Sequence, residues 1–244
     1  LQAWDGELPG TLPMVAGTSE APSDVIAYHG QLWVTSWGEY RIERFALKPR
    51  GASVGAVREV VVDGDDQFRP VDFTTAPDGS LYFSDWVDRS YNVHRKGRVW
   101  RLSWKDTPPN DDVPPLSADE QLAAKLAAKD GLLNARLNAL SSSDPFLRQA
   151  AVTGLVKSET VRTSPLSSLK TAGQRQGVLE AARLSNISEG RRSALLTSAL
   201  NDDDVHVRLY AVRWIADEQL IEFRKALDGL LTSDVNSVAL VQAT

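Results

Sequence analysis

The residues best suited to ligand chemistry gather around one strand-like stretch, "FRPVDFTTAPDGSLYFSDWVD" at positions 68–88, and the loop after it. An arginine and an aspartate stand where the stretch begins, and a tryptophan, a second aspartate and a histidine follow where it ends. Arginine offers a fork of donors to an anion, carboxylates accept from hydroxyl groups, and an indole ring offers a flat apolar face. These residue types predict a site for an anionic or polyhydroxylated ligand. The candidate rim consists of Arg69, Asp72, Trp86, Asp88 and His94.

The spacing predicts how this rim is assembled. Two alternating segments, "RPVDFTT" and "SLYFSDW", flank an Asp78-Gly79 turn, which predicts an antiparallel hairpin. The start of the first strand and the end of the second then share one edge, and the long loop "VDRSYNVHRKG" can fold over it. Structural roles stay open for the same residues, since Asp72 could bond turn amides, Arg69 could pack within the sheets and His94 could lie on the surface.

Motifs do not assign a catalytic residue. The sequence has no nucleophile elbow, P-loop or dinucleotide-binding fingerprint. Its three histidines are scattered and it has no cysteine, so neither a zinc site nor a covalent c-type haem site is predicted. We therefore expect no metal and no cofactor in this segment, and Asp85 is expected either to satisfy backbone donors or to join the rim.

Composition narrows the class of protein. The net charge of −5 argues against nucleic-acid binding, which needs a basic face. The sequence has no apolar run of the roughly 18 residues that a membrane span needs. It opens on "LQAWDGELPG" and closes inside an apolar-periodic segment, so we interpret it as a piece of a longer polypeptide. Composition leaves the compartment undecided.

The first half of the sequence contains an internal repeat. "APSDVIAYHGQLWVTSW" at 21–37 aligns with "RPVDFTTAPDGSLYFSDW" at 69–86, with a period of about 48 residues. Each unit reads as strand, glycine turn, strand, loop, strand and a fourth outer strand, which is typical of a β-propeller blade. We therefore predict that residues 1–104 are the last two blades of a β-propeller, with a plain β-meander as the alternative.

The second half is rich in alanine and leucine and repeats with helical spacing. A Pro- and Asp-rich linker is predicted at 105–116, and "SADE" after it predicts a capping box. Asp144 and Asp204 each stand before an apolar segment, with arginine four and alanine seven residues later. Because a capping Asp and a small Ala suit stacked helix pairs, we predict a truncated HEAT- or armadillo-like α-solenoid over 117–244. The predicted fold class is thus a partial β-propeller followed by an α-solenoid, and a generic helical bundle is the alternative for the second half.

Part of the sequence resembles a known family. "FRPVDFTTAPDGSLYFSDWVDRSYNVHRKGRVWRL" at 68–102 is similar to the large secreted multidomain proteins of planctomycetes and related bacteria that carry the family name "putative membrane-bound dehydrogenase". The Arg-Pro-Val-Asp start, the Asp-Gly turn, the Asp-Trp end, the His-bearing loop and "GRVWRL" carry the resemblance. In that family a propeller similar to the glucose/sorbosone dehydrogenases precedes HEAT-like repeats and often a c-type cytochrome domain, which is absent here.

The resemblance implies a periplasmic or extracellular parent protein that oxidises a sugar or alcohol in a cytochrome-linked redox system. The parent's cofactors would be pyrroloquinoline quinone with calcium, and haem c. The resemblance does not assign the general base to His94, and we expect this segment alone to be inactive. The alternative is a non-catalytic scaffold that binds a carbohydrate or small polyol, with a protein partner on the solenoid. A nucleic-acid partner is expected under neither hypothesis.

Overall fold

The computed structural model describes residues 11–105, 115–128 and 133–231. The described residues divide into two compact units, one of strands that begins at residue 14 and one of helices that begins at residue 117 and also includes residues 11–13. The predicted linker at 105–116 falls mainly on 106–114, and the end of the predicted solenoid falls on 232–244. Both therefore lie outside the described residues.

The β unit contains two antiparallel sheets. The first has four strands in sequential order, which are β1 Pro22–Tyr28, β2 Gln31–Ser36, β3 Arg41–Arg50 and β4 Ser53–Asp63. The second has three strands in sequential order, which are β5 Pro70–Thr75, β6 Leu81–Asp85 and β7 Arg98–Leu102. Along β6 buried and half-buried residues alternate, so the strand keeps one apolar face in the core.

Turn chemistry explains the tight connection of β1 to β2. Tyr28 pairs with Gln31, so only His29 and Gly30 form the loop. Both loop residues have positive φ, at 49° and 66°. That is the backbone of a two-residue type I′ turn, whose twist matches the twist of the flanking strands, and glycine adopts it without steric cost.

The repeated sequences fold into two similar hairpins. The register shifts after the first residue of β1 and after the first residue of β5. Beyond each hairpin the same bond closes the open end, since Trp37 N–H donates to Ala21 O at 3.1 Å and Trp86 N–H donates to Arg69 O at 2.8 Å. The start of one strand and the end of the next are therefore held side by side in both copies.

Side chains of the first sheet bond the backbone of the second. Asp24 accepts from the N–H of Phe73 at 2.9 Å, and the Thr35 hydroxyl donates to Val71 O at 3.0 Å. Asp24 therefore bonds the neighbouring strand rather than a turn. Residues of both sheets contribute to the apolar core of the unit, which contains Tyr28, Trp33, Ile42, Phe68, Phe73, Leu81 and Phe83.

The described part of the helical unit has eight α-helices. They are α1 Ala118–Ala127, α2 Leu133–Ala139, α3 Pro145–Leu155, α4 Glu159–Thr163, α5 Ala172–Arg183, α6 Glu189–Leu200, α7 Val205–Asp217 and α8 Arg224–Leu231. Short 3₁₀ segments span Leu166–Ser168 and Ile221–Phe223. No helix within the described ranges is long and apolar enough to cross a membrane.

Local bonds account for the recurring Asp and Arg of this unit. Asp144 accepts from the N–H groups at the start of α3, and Asp204 does the same at the start of α7, so both predicted N-caps are confirmed. The arginine four residues later turns back to the carbonyls just before the cap, as when Arg148 Nη1 donates to Ser142 O at 2.7 Å. Arg208 donates to Asp202 O and Asp203 O in the same way. The predicted capping box at the start of α1 is also confirmed.

The predicted fold class, a partial β-propeller followed by a HEAT-like α-solenoid, is wrong. The described strands form two open sheets of four and three strands. The described helices vary from five to 13 residues and are interrupted by the 3₁₀ segments. A propeller needs sheets arranged radially until the ring closes, and a solenoid needs near-identical units that stack. Repeated motifs set turns and caps locally, whereas closure and stacking depend on contacts between distant segments.

Candidate functional site

One buried carboxylate, that of Asp85, joins the chain segments next to the candidate site. The Asp85 side chain, at the end of β6, is fully buried. Its Oδ1 accepts from the N–H groups of Arg69 and Val87, each at 2.8 Å. Its Oδ2 accepts from Arg98 Nε and Trp100 Nε1, each at 2.9 Å. Asp85 thus ties the start of β5 and two residues of β7 to the chain that leaves β6, which is the structural alternative considered from the sequence.

Arg69 is a buried side chain in contact with two aromatic rings. Only 2% of it is exposed, and its guanidinium lies 4.5 Å from the ring centre of Trp37 and 4.2 Å from that of Tyr40. Its Nη1 donates to Trp37 O at 2.8 Å, and its Nε has no partner in the described part of the chain. The guanidinium of Arg69 thus contacts two rings and a carbonyl of the protein itself. A direct contact of Arg69 with a ligand therefore stays a prediction.

Three members of the candidate rim lie together in the loop between β6 and β7, residues 86–97. Trp86 Nε1 donates to Ser90 O at 2.6 Å, and Asp88 accepts from Ser90 N–H at 3.0 Å. The His94 ring packs edge-on against the Trp86 ring, with centres 4.8 Å apart. Local bonds therefore bring Trp86, Asp88 and His94 into one cluster.

Asp72 stands apart from this cluster. It is exposed on β5, where it pairs in register with Ser84. Within the described residues no hydrogen bond or ion pair joins Asp72 to the other four rim residues. Its predicted place in the site rests on its position along β5 alone.

His94 has one nitrogen fixed by the loop and one without a partner. Its Nδ1 accepts from the N–H of Lys96 at 3.0 Å, so in the neutral imidazole the proton resides on Nε2. Nε2 is buried and has no partner among the described residues. A buried donor without an acceptor costs free energy, so a ligand oxygen at this point would be stabilised.

The loop is locally cationic in an acidic protein. The loop contains three cationic side chains, Arg89, Arg95 and Lys96, and one carboxylate, Asp88. The whole chain, in contrast, carries a net charge of −5. Lys96 pairs with Asp88 at 3.1 Å. The N–H of Ser90 and the ammonium of Lys96 hold the pKa of Asp88 below its usual range. The two arginines are exposed, so this loop favours anionic or hydroxyl-rich groups.

An aromatic pair that the rim prediction did not include lies at the edge of the loop. The Tyr91 ring is stacked on Trp37, with centres 5.8 Å apart and planes 11° apart, yet 87% of Tyr91 is exposed. Trp37 and Tyr40, which also flank Arg69, were not assigned to the rim. The repeat marks Trp37 as the counterpart of Trp86, and this was the one sequence signal for its position.

Two of the cofactors that the resemblance implies for a parent protein, calcium and haem c, find no matching residues in the part of the chain that the structure describes. Over the described ranges, no three His, Cys, Asp or Glu side chains come together as a calcium or other metal site needs. The whole sequence lacks the cysteines to which haem c is attached. Neither group enters the chemistry that we assign to this chain.

Comparisons with known proteins give one partial likeness. No protein-family model and no curated protein matches the chain. The chain is weakly similar to a solved protein from Thermus thermophilus, described as a "putative oxidoreductase (glucose dehydrogenase)", with a TM-score of 0.29 and 22% identity. The likeness covers 34% of this chain and 25% of that chain, so this chain matches only a quarter of the length of that protein. A likeness at this level carries no conclusion about activity.

Proposed function

We propose that this chain binds a carbohydrate or a related polyhydroxylated ligand at the 86–97 loop. The observation that carries the proposal is Tyr91, a residue that is 87% exposed although its ring is stacked on Trp37. A loose surface ring would have to be ordered on binding, whereas a stacked ring is already ordered. The C–H faces of sugar rings pack on such flat apolar surfaces. Tyr91 is therefore the platform of the site.

Polar groups on the same loop complete the recognition of such a ligand. His94 Nε2–H is a donor without an acceptor among the described residues, and a sugar hydroxyl oxygen would satisfy it. The exposed Arg89 and Arg95 add donors that suit hydroxyls and, better, carboxylate or sulfate groups. The set thus combines an apolar face with directional donors, which is the usual composition of a small-molecule site.

Binding is better supported than catalysis at this site. A general base needs a free lone pair aimed at the substrate proton, but the Lys96 N–H occupies Nδ1 of His94 and leaves the proton on Nε2. In this state His94 donates to a ligand and does not take a proton from it. The geometry therefore favours the binding scaffold over an active dehydrogenase segment.

In a wider form of the proposal, this chain is the ligand-binding part of a larger redox protein. The resemblance of residues 68–102 to the dehydrogenase family supports a parent protein that is periplasmic or extracellular and oxidises a sugar or alcohol. In that protein the 86–97 loop would hold the substrate while the other parts of the parent perform the chemistry. Both forms require that the loop bind a hydroxyl-rich molecule.

Affinity electrophoresis of the 244-residue chain tests the proposal. The gels contain one soluble polysaccharide at a time, namely a neutral glucan, a mannan, a galactan or alginate, and retardation gives the dissociation constant. We expect retardation by at least one polysaccharide and a loss of about tenfold in affinity for Tyr91→Ala, equivalent to about 1.4 kcal/mol for a lost ring contact.

The same loop offers a matched control. Val93 is 86% exposed two residues away, so Val93→Ala removes exposed apolar surface without removing a ring. We expect Val93→Ala and Tyr91→Phe to bind as the unmodified chain does. Equal effects of Tyr91→Ala and Val93→Ala, or no retardation in any gel, would overturn the proposal.

A further inference from the structure

The third strands of the two sheets, β3 and β7, have the same place in the repeat but different neighbours. In the first sheet β3 lies between β2 and β4, whereas β7 is the last strand of the second sheet and, among the described strands, pairs with β6 alone. The edge of β7 that faces away from β6 is called its free edge. Such an edge presents backbone N–H and C=O groups to which a further strand can bond.

The register makes β3 and β7 comparable residue by residue. The repeat aligns Ser36 at the end of β2 with Asp85 at the end of β6. Arg41 pairs with the first of these and Arg98 pairs with the second, so the two arginines are equivalent. The equivalent pairs along the strands are Arg41 and Arg98, Ile42 and Val99, Glu43 and Trp100, and Arg44 and Arg101.

Equivalent residues of the two strands differ in exposure. Ile42 is fully buried and pairs with Val62 of β4, whereas Val99 is 73% exposed. Glu43 is also buried, whereas Trp100 is 41% exposed. The strand without a fourth neighbour therefore exposes apolar side chains at positions that are buried in the sheet that has one.

The first sheet also shows the chemistry of a strand that fits beside these arginines. Arg41 Nε donates to Asp63 of β4 at 2.9 Å, and Arg44 pairs with Glu59 of the same strand. The two carboxylates are four residues apart on β4, with valines at the three positions between them. Opposite charges on adjacent strands stabilise the pairing, so an acidic strand of this pattern is complementary to two arginines at this spacing.

The arginines of β7 retain capacity for a further carboxylate. Arg98 and Arg101 each pair with an aspartate of the β5–β6 hairpin, yet their side chains are 40% and 52% exposed. Arg41 shows that one guanidinium can bind two carboxylates, since its Nη1 pairs with Glu39 at 2.8 Å and its Nε with Asp63 at 2.9 Å. A guanidinium has several N–H donors in a planar fork, which makes such sharing possible.

We propose that the free edge of β7 binds an extended acidic segment of another protein, which adds to the second sheet as an antiparallel fourth strand. The segment carries one carboxylate for Arg98, one for Arg101 and an apolar residue opposite Val99. A second copy of this chain is not the expected occupant, because its own acidic strand, β4, is already paired with β3 along its length. The proposal does not depend on carbohydrate binding at the 86–97 loop.

Fluorescence anisotropy with the 244-residue chain tests the proposal, with a peptide of the β4 sequence as the probe. The fluorescein-labelled peptide "GAVREVVVDG" (55–64) is compared with a neutral peptide in which glutamine and asparagine replace its two carboxylates. We expect saturable binding of the acidic peptide, about fivefold tighter than that of the neutral peptide, because two exposed ion pairs are lost in the latter. Equal binding of the two peptides, or no saturable binding of either, overturns the proposal.

Matched variants locate the binding at β7. Arg101→Gln should reduce the advantage of the acidic peptide to about twofold, since one of two ion pairs remains. Arg162→Gln in α4 removes the same charge from a side chain that is 47% exposed and also paired, and it should leave the advantage unchanged. Equal effects of these two substitutions would show that the peptide responds to net charge and does not bind at β7.

A second pair of variants tests the edge itself. Val99→Asp places a carboxylate on β7 against the acidic peptide and should weaken its binding by about tenfold. Val25→Asp on β1 changes a valine that is 59% exposed and should have no such effect. Sedimentation velocity should show that the unlabelled chain is a monomer. Self-association that rises with concentration and disappears in Val99→Asp would assign the edge to a second copy and overturn the proposal.

Discussion

Arg69 and Trp37 are joined by two contacts of different kinds, although 32 residues separate them along the chain. The guanidinium lies 4.5 Å from the centre of the indole ring, and its Nη1 donates to the Trp37 carbonyl at 2.8 Å. Since the Tyr91 ring is stacked on Trp37, Arg69 contacts the residue against which the proposed aromatic platform packs.

Arg69→Ala should therefore destabilise the β unit. It removes a buried cation–π contact and leaves a carbonyl and two rings without their partner, which predicts a loss of about 2–3 kcal/mol. The measurement is the free energy of unfolding from urea titration, paired with carbohydrate affinity per folded molecule. Arg69→Lys keeps the charge but loses the planar stack, so its stability should fall between that of Arg69→Ala and that of the unmodified chain. If affinity per folded molecule drops while stability is unchanged, Arg69 contacts the ligand directly.

Two aspartates that both pair with arginines of β7 should respond differently to the same substitution. The Asp85 side chain is fully buried and accepts from four donors, whereas the Asp78 side chain is 55% exposed and pairs with Arg101. Asp85→Asn places an amide against donors that it cannot satisfy and should cost about 2–4 kcal/mol. Asp78→Asn should change stability by less than about 1 kcal/mol. Thermal melts of the two variants check this, and similar losses would contradict the assigned role of Asp85.

Gly154 marks a close approach inside the helical unit. A β-carbon at this position in α3 would collide with the carbonyl oxygen of Leu126 and with the Arg136 guanidinium that donates to it. Gly154→Ala should therefore cost about 1–3 kcal/mol through overpacking. Gly190 in α6 has open space, so Gly190→Ala should leave stability unchanged or raise it by up to about 1 kcal/mol. Urea unfolding distinguishes the two, and a neutral Gly154→Ala would show that α3 does not pack so closely.

Glu43 makes the β unit sensitive to acid. Burial alone would raise its pKa, but bonds from the Ser19 hydroxyl, the Ser19 N–H and the Ser36 hydroxyl hold the pKa below its usual range. A carboxyl whose pKa is lower in the folded state stabilises the fold above its unfolded pKa of about 4.3, and this contribution is lost as the pH falls through the folded pKa. Glu43→Gln should therefore be less stable than the unmodified chain at pH 7, with a difference that shrinks below about pH 4.

A matched carboxyl separates this effect from general acid unfolding. Glu59 on β4 is 59% exposed and pairs with Arg44, so Glu59→Gln should shift stability little at any pH. The measurement is the free energy of unfolding of the three chains between about pH 3 and pH 7, a range that spans the carboxyl titration. A Glu43→Gln difference that stays constant over this range would contradict the lowered pKa.

Short-range patterns made several features of the fold predictable from the sequence. The repeat of 21–37 in 69–86 does correspond to two similar hairpins, because alternation and turn residues act within about ten residues of each other. The caps at Asp144 and Asp204 were predictable for the same reason. The cluster of Trp86, Asp88 and His94 also forms within a single loop, so its members were found together.

The remaining arrangement depends on contacts between distant segments. Arg69 was expected at the rim, but its guanidinium is held between Trp37 and Tyr40, and no local pattern distinguishes a buried arginine from an exposed one. The period of the repeat likewise predicted propeller blades, although two open sheets are what the described strands form. Whether sheets close or helices stack is decided by the sum of many packing contacts, which a repeated motif does not encode.

The sequence by itself thus determined the strands, the turns, the helix caps and the residue types of the candidate loop. The tertiary structure alone decided that Asp85 is a buried anchor, that Tyr91 is stacked while exposed, and that β7 is largely exposed. The physical reason is the distance along the chain over which each interaction acts, since propensities and caps act between residues that are close in sequence. Burial and unsatisfied polar groups, in contrast, appear only when segments far apart in sequence come together.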